Sequence, residues 1–190
     1  MSRVLPQKPV PFTYREYCLL PDDGKRHELI EGEFYVTPSP GTNHQTVSRR
    51  LQQILMQQLE DTGIAQVFNA PMDLILDDAT CVQPDLFIVR STRSDLIKPH
   101  AIVGTPDLVI EILSPSHPGN DRFLKRGVYA RFHIPEYWII EPEFGFVTVL
   151  RSGVPDKYDL EARFNREATL TSEEFPELAV PLPRVFRSEK

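Results

Sequence analysis

Long apolar runs are missing from this sequence. No stretch approaches the roughly 20 apolar residues that a membrane-spanning helix needs, and the opening "MSRVLPQKPVPF" has no apolar block resembling a secretory leader. The expectation is a cytoplasmic protein without a membrane partner. Cysteine is scarce. Cys18 and Cys81 are the two in 190 residues; they cannot make a zinc site alone and form no paired motif, so reduced thiols are the plain reading. Excess positive charge is lacking too: 21 Lys and Arg stand against 27 Asp and Glu, a net −6. That excludes a generally basic coat for nucleic acid but not a local basic groove, because the distribution of charge matters more than its sum. Internal repeats, low-complexity tracts and a domain linker are also missing, so one domain over residues 1–190 is expected.

With 41% hydrophobic and 25% charged residues, the balance is that of a globular protein. Proline is in excess: 18 residues, about twice the usual ~5%. The prolines are spread along the chain, which predicts many short elements and rigid turns. "FTYREYCLL" reads as a short helix capped by Thr13, with Glu16 as capping-box partner. "HELIEGEFYVTP" reads as an N-terminal hairpin turning at Glu31-Gly32. "GTNHQTVSRRLQQILMQQLEDTG" is the clearest helix, capped by Thr42 or Asn43 and closed by Gly63. Its apolar face is Val47, Leu51, Ile54, Leu55 and Leu59, with Arg49 and Arg50 facing away. Strands are expected at about 65–76, 81–89 and 107–113, then a helix from Asp121 to Phe132 and the strand "EYWII". A hairpin around "FVTVLRSG" opens a C-terminal β extension, and "TSEEFPELAVPLPRVF" reads as a turn and tail. Strand, helix, strand implies a right-handed crossover with parallel pairing. The fold class is α/β (α+β), a mixed sheet flanked by helices.

One residue breaks the pattern. Leu108 to Leu113 is a buried-strand run interrupted by Glu111, and a buried carboxylate is costly unless it neutralises, pairs or holds a cation. In "CVQPDLFIV", Asp85 shares a strand face with Gln83 and Phe87, as Glu111 does with Val109 and Leu113. On neighbouring strands the two carboxylates converge. Repulsion is then relieved by a proton or by a shared cation, and oxygen ligands suit magnesium or manganese. By local pattern alone an Asp after Pro at a strand start, such as Asp85, is more often a turn residue than a ligand. If the repulsion stands unrelieved, Glu111→Gln would leave folding intact or improved. In "DRFLKRGVYARF", Lys125 borders the apolar face and could reach a cleft, or could be a solvated lysine paired with Asp121.

"HELIEGE", "NHQ", "QPDLFIV", "PDLVIEILSPS", "DRFLKRGVYA" and "EYWIIEP" follow one another as in the Uma-two family, and the resemblance runs from about Thr13 to Phe186. It implies a restriction endonuclease-like core of the PD-(D/E)XK nuclease superfamily over about 13–186, with Asp85 and Glu111 as catalytic metal ligands. The pattern's usual lysine, two residues after the glutamate, is replaced here by Leu113. The family resembles variants in which a lysine from the following helix takes over, which points to Lys125. Glu28 matches the family's "EL" glutamate and His44 its "NHQ" histidine; with Gln83 they are supporting candidates.

The function implied is a magnesium- or manganese-dependent endonuclease hydrolysing DNA phosphodiester bonds. Arg49, Arg50, Arg122 and Arg126 are candidates for nucleic-acid contacts, with Arg90, Arg93 and Lys98 as further ones. A homodimer is compatible with this reading. The rival is a nuclease-fold module that binds nucleic acid or protein with idle carboxylates, favoured by Leu113 and the net acidity.

Overall fold

Turn chemistry sets the first boundaries. The computed structural model describes residues 10–21, 23–114 and 124–187. Helix α1 (Tyr14–Tyr17) opens with the Thr13 N–H donating to the Glu16 carboxylate at 2.8 Å. Strands β1 (Arg26–Ile30) and β2 (Glu33–Thr37) then join through Glu31 and Gly32, whose φ values of 53° and 79° are the paired positive angles of a tight hairpin.

Helix α2 (Thr42–Leu55) continues through a wider π turn (Met56–Glu60) and ends before Gly63, at φ 73°. Its cap is Gly41, with Thr42 and Asn43 already inside the helix. The expected stripe from Val47 to Leu59 is buried. The expected strand over 65–76 is two strands, β3 (Ala65–Asn69) and β4 (Asp73–Asp77), separated at the Ala70–Pro71 bond. Likewise 81–89 divides into β5 (Thr80–Val82) and β6 (Leu86–Arg90), leaving Gln83 to Asp85 as a connection between sheets. A short 3-10 turn (Ser91–Leu96) leads to β7 (Ala101–Val103) and β8 (Leu108–Ile112). Helix α3 (Arg126–Arg131) precedes β9 (Glu136–Glu141), β10 (Phe146–Arg151) and β11 (Leu160–Asn165). The expected tail is structured: β12 (Thr169–Thr171) pairs with β13 (Ala179–Pro181), and α4 (Leu182–Val185) follows.

Among the described residues two large sheets, besides the small β12-β13 pair, result where one was expected. The central sheet has six strands in the order β11-β10-β9-β8-β6-β3, with β8 and β9 parallel around α3 and the other pairs antiparallel. A five-stranded sheet, β2-β1-β5-β4-β7, lies beyond one of its faces. Alternation along β6 and β8 creates two cores. Leu86, Ile88, Leu108, Ile110 and Ile112 pack with α2 and the C-terminal segment. Phe87, Val89 and Val109 pack with α3 and the five-stranded sheet. By the same alternation Glu111 belongs to the second face, between α3 and the smaller sheet.

Candidate active site

The register brings the two carboxylates together. Leu86 pairs with Ile110 across β6 and β8, so one step further along this antiparallel ladder Asp85 stands opposite Glu111. Together they wall a small recess of about 40 Å³ with Arg26, Thr37, His44 and Ser114. A wider cleft of about 510 Å³ adjoins it, lined by Asp85, Arg26, His44, Arg49 and Gln83.

Each carboxylate is buried and each is held. Asp85 Oδ1 accepts from Arg26 Nη1 at 3.1 Å; Oδ2 contacts His44 Nε2 at 3.0 Å and accepts from the Ile112 N–H at 2.8 Å. Burial opposes its ionisation, but the His44 hydrogen bond, the charges of His44 and Arg26 and the Ile112 N–H outweigh it, lowering its pKa from 3.8 to about 2. Glu111 Oε1 accepts from Lys125 Nζ at 3.0 Å and from the Tyr129 hydroxyl at 2.7 Å. Burial, with the charge of Glu111 next, pushes the Tyr129 phenol well up, so it remains a donor. Glu28 Oε1 accepts from Lys125 Nζ at 3.0 Å and from the Gln83 N–H at 2.8 Å. Burial again opposes ionisation, yet Lys125, Arg26 and that N–H hold the Glu28 carboxyl below its usual value.

Lys125 is therefore not a solvated lysine: it is 1% exposed. Its ammonium clamps two carboxylates and lies one carboxylate away from the recess it was expected to enter. The helix places it there simply. Lys125 and Tyr129 are four residues apart on one turn-to-turn face, and both reach Glu111. Tyr129 carries no signal of its own in the sequence; its i,i+4 spacing to Lys125 is the one sign that it belongs here. Arg26 was missed. It sits two residues before Glu28 on β1, hence on the same strand face, but a lone arginine beside a turn gives no stronger signal.

The supporting candidates divide. His44 lies in the site, with Nδ1 buried and without a hydrogen-bond partner among the described residues. Gln83 contributes its backbone N–H to Glu28, while its side chain donates to Asp73 at 2.8 Å and the Tyr17 hydroxyl at 3.3 Å. Arg49 is exposed on the cleft wall. Arg50 does not face away: it is buried, and its Nη1 donates to the carbonyls of Val185 at 3.2 Å and Arg187 at 2.5 Å. Arg126 turns toward β11, donating to the Tyr158 carbonyl at 3.2 Å and the Glu161 carboxylate at 3.4 Å. Arg90 and Arg93 pair with Asp107. Arg122 lies outside the described residues.

The donor chemistry fits a hard divalent cation. Magnesium is commonly held by one or two carboxylates, with water and substrate phosphate completing its shell, and Asp85 and Glu111 offer that pair on one recess. The charges fit as well. Three buried carboxylates, Glu28, Asp85 and Glu111, face two basic side chains, Arg26 and Lys125. Among the described residues no group of three or more His, Cys, Asp and Glu converges as metal ligands, so such an ion would rest on the two carboxylates alone.

Residues 13–183 match the sequence profile of Uma2, described as "Putative restriction endonuclease". Two Synechocystis proteins, both named as uncharacterized, are similar: slr1290 is 29% identical over 56% of this chain, and sll1609 is 25% identical over 62%. The match spans 55% of the length of slr1290 and 67% of sll1609. The crystal structure of a protein titled "putative nuclease belonging to DUF820", from Anabaena variabilis, superimposes with a TM-score of 0.77 at 22% identity. That superposition covers 93% of this chain and 98% of the other, and the likeness establishes a nuclease-like fold of mixed sheets and helices. Among the described residues, no helix is long and apolar enough to cross a membrane.

Proposed function

We propose, for a chain that belongs to the Uma2 family, the activity of a magnesium- or manganese-dependent endonuclease that hydrolyses phosphodiester bonds in DNA. The observation that carries this reading is the shared recess of Asp85 and Glu111, two buried carboxylates opening beside a cleft. A divalent ion held there supplies charge neutralisation at a phosphate and acidity to a nearby water.

The protein's own groups do the remaining work. Lys125 and Tyr129 hold Glu111 in one orientation, and Lys125 also fixes Glu28. From behind the carboxylates the Lys125 ammonium raises the potential at the recess, favouring charge that builds on a phosphate. Arg26 and His44 hold Asp85 from the cleft side. With Nε2 turned to Asp85, the His44 Nδ1 is buried and lacks a hydrogen-bond partner among the described residues, a need that a water or substrate oxygen admitted to the site would meet. In hydrolysis a water oxygen adds to phosphorus, one P–O ester bond breaks, and the departing oxygen takes up a proton.

Cleavage of supercoiled plasmid and single-stranded DNA in manganese tests the proposal. Wild type should cut, and Asp85→Asn, Glu111→Gln and Lys125→Ala should each lose roughly 10²-fold or more in turnover. Wild type that binds neither manganese nor DNA would overturn it. One observation favours a second reading, a non-catalytic binding module: both Asp85 oxygens are already engaged inside the protein. Binding of DNA without binding of manganese would select that reading.

A further inference from the structure

A second recess, of about 350 Å³, adjoins α2 and is walled by Thr42, Asn43, Thr46, Arg50, Arg166 and Arg187. We propose that it binds a phosphate group of a nucleic-acid strand, away from the phosphate at Asp85 and Glu111; the assignment to a strand rests on the nuclease reading above. In a chain of net charge −6, three arginines meet in one cavity alongside two hydroxyls and an amide. Guanidinium forks match phosphate oxygens in geometry and charge, and hydroxyl and amide side chains are common phosphate donors.

Arg50 is the fixed part of the wall; Arg166 and Arg187 are exposed side chains beside it. Arg50 is 7% exposed and anchored on the carbonyls of Val185 and Arg187, which fixes its plane before any ligand arrives. Arg166 folds across Gly145, where an added Cβ would fall 2.5 Å from its Nε. Among the described residues no carboxylate pairs with the guanidinium of Arg166 or of Arg187.

The position selects a strand over a single nucleotide. Consecutive residues on a helix point about 100° apart, and α2 uses this twice. His44 and Arg49 line the cleft, while their neighbours Asn43 and Arg50 line the second recess. A polyanion with one phosphate in the cleft crosses the first turns of α2 to place another in the arginine recess.

The test compares the full-length wild type with Arg166→Ala/Arg187→Ala. Fluorescence anisotropy of a labelled DNA duplex over a range of sodium chloride should show affinity reduced about tenfold. The slope of log K against log salt should become shallower by about 2, one for each lost phosphate-facing cation. Inorganic phosphate should raise the melting temperature of wild type and not of the double variant. Unchanged affinity and salt slope, with wild type cutting DNA, would overturn this inference while leaving the nuclease reading intact. Stabilisation by inorganic phosphate without duplex binding by wild type would overturn the strand assignment, leaving a free-phosphate site, and would count against the nuclease reading too. No response to either ligand would overturn both.

Discussion

Lys125 and Glu111 meet at 3.0 Å with their side chains only 2% and 1% exposed. A pair so enclosed is a commitment of charge: each partner is tolerable only while the other stays.

Removing the cation should therefore damage the fold. Lys125→Met leaves Glu28 and Glu111 facing one another without their shared ammonium, and loss of one partner of a buried pair costs about 3–5 kcal/mol. Glu111→Gln should also destabilise, reversing the expectation from carboxylate repulsion alone, because here the repulsion is already relieved. The Lys125→Met/Glu111→Gln double variant should be more stable than the sum of the two losses predicts. Urea unfolding at pH 7 measures all three.

Manganese should stabilise the wild type. A ligand present at 100 times its dissociation constant adds about 2.7 kcal/mol, an upward shift of several degrees in a thermal melt. Asp85→Asn and Glu111→Gln should each abolish the shift, while Gln83→Ala should keep it. A shift that survives both carboxylate substitutions would move the ion elsewhere.

Asp85 should make the fold sensitive to acid. Its folded pKa is lowered from 3.8 to about 2, so its stabilising contribution is fully present above about pH 4 and is lost as pH falls through 2. The size is about 2 kcal/mol. His44→Ala removes the largest of the effects lowering that pKa, so acid unfolding should begin at higher pH. The fluorescence of Trp138, which is buried, reports the transition.

Arg50 ties α2 to α4. Arg50→Met leaves the Val185 and Arg187 carbonyls without their charged donor, and hydrogen bonds of that kind contribute about 1.5–3 kcal/mol. Urea unfolding should show a loss of that order.

The legible parts of this protein are those where periodicity is long or a residue contradicts its surroundings. Five apolar residues at helical spacing revealed α2, and a carboxylate between Ile110 and Ile112 marked β8 as the strand that carries the candidate site. The motif order marked a nuclease-like chain, in keeping with its Uma2 membership. What stayed hidden depends on distant pairing. Strands of three residues such as β5 and β7 have too little alternation to distinguish them from turns, so the second sheet was invisible. The segment from Thr171 to Phe186 looked like a turn and tail because its apolar residues follow neither period. Yet Phe175, Leu178, Val180, Leu182 and Val185 all close one core. Arg50 looked solvated because its partners are carbonyls some 135 residues away. Arg26 and Tyr129 carry no pattern of their own; only the carboxylates they touch give them meaning.

The clamp at Lys125 also has a consequence in time. It closes on Glu28, 97 residues earlier in the chain, and contacts of such separation form late because the loop between them must first be closed. During synthesis, a chain extended only to β8 already contains Glu28, Asp85 and Glu111 but not the ammonium that joins two of them. Asp85 already has Arg26 and His44 by then, but Glu28 and Glu111 lack their shared ammonium until Lys125 arrives. The clamp is complete only when the first hairpin, the central sheet and Lys125 are together.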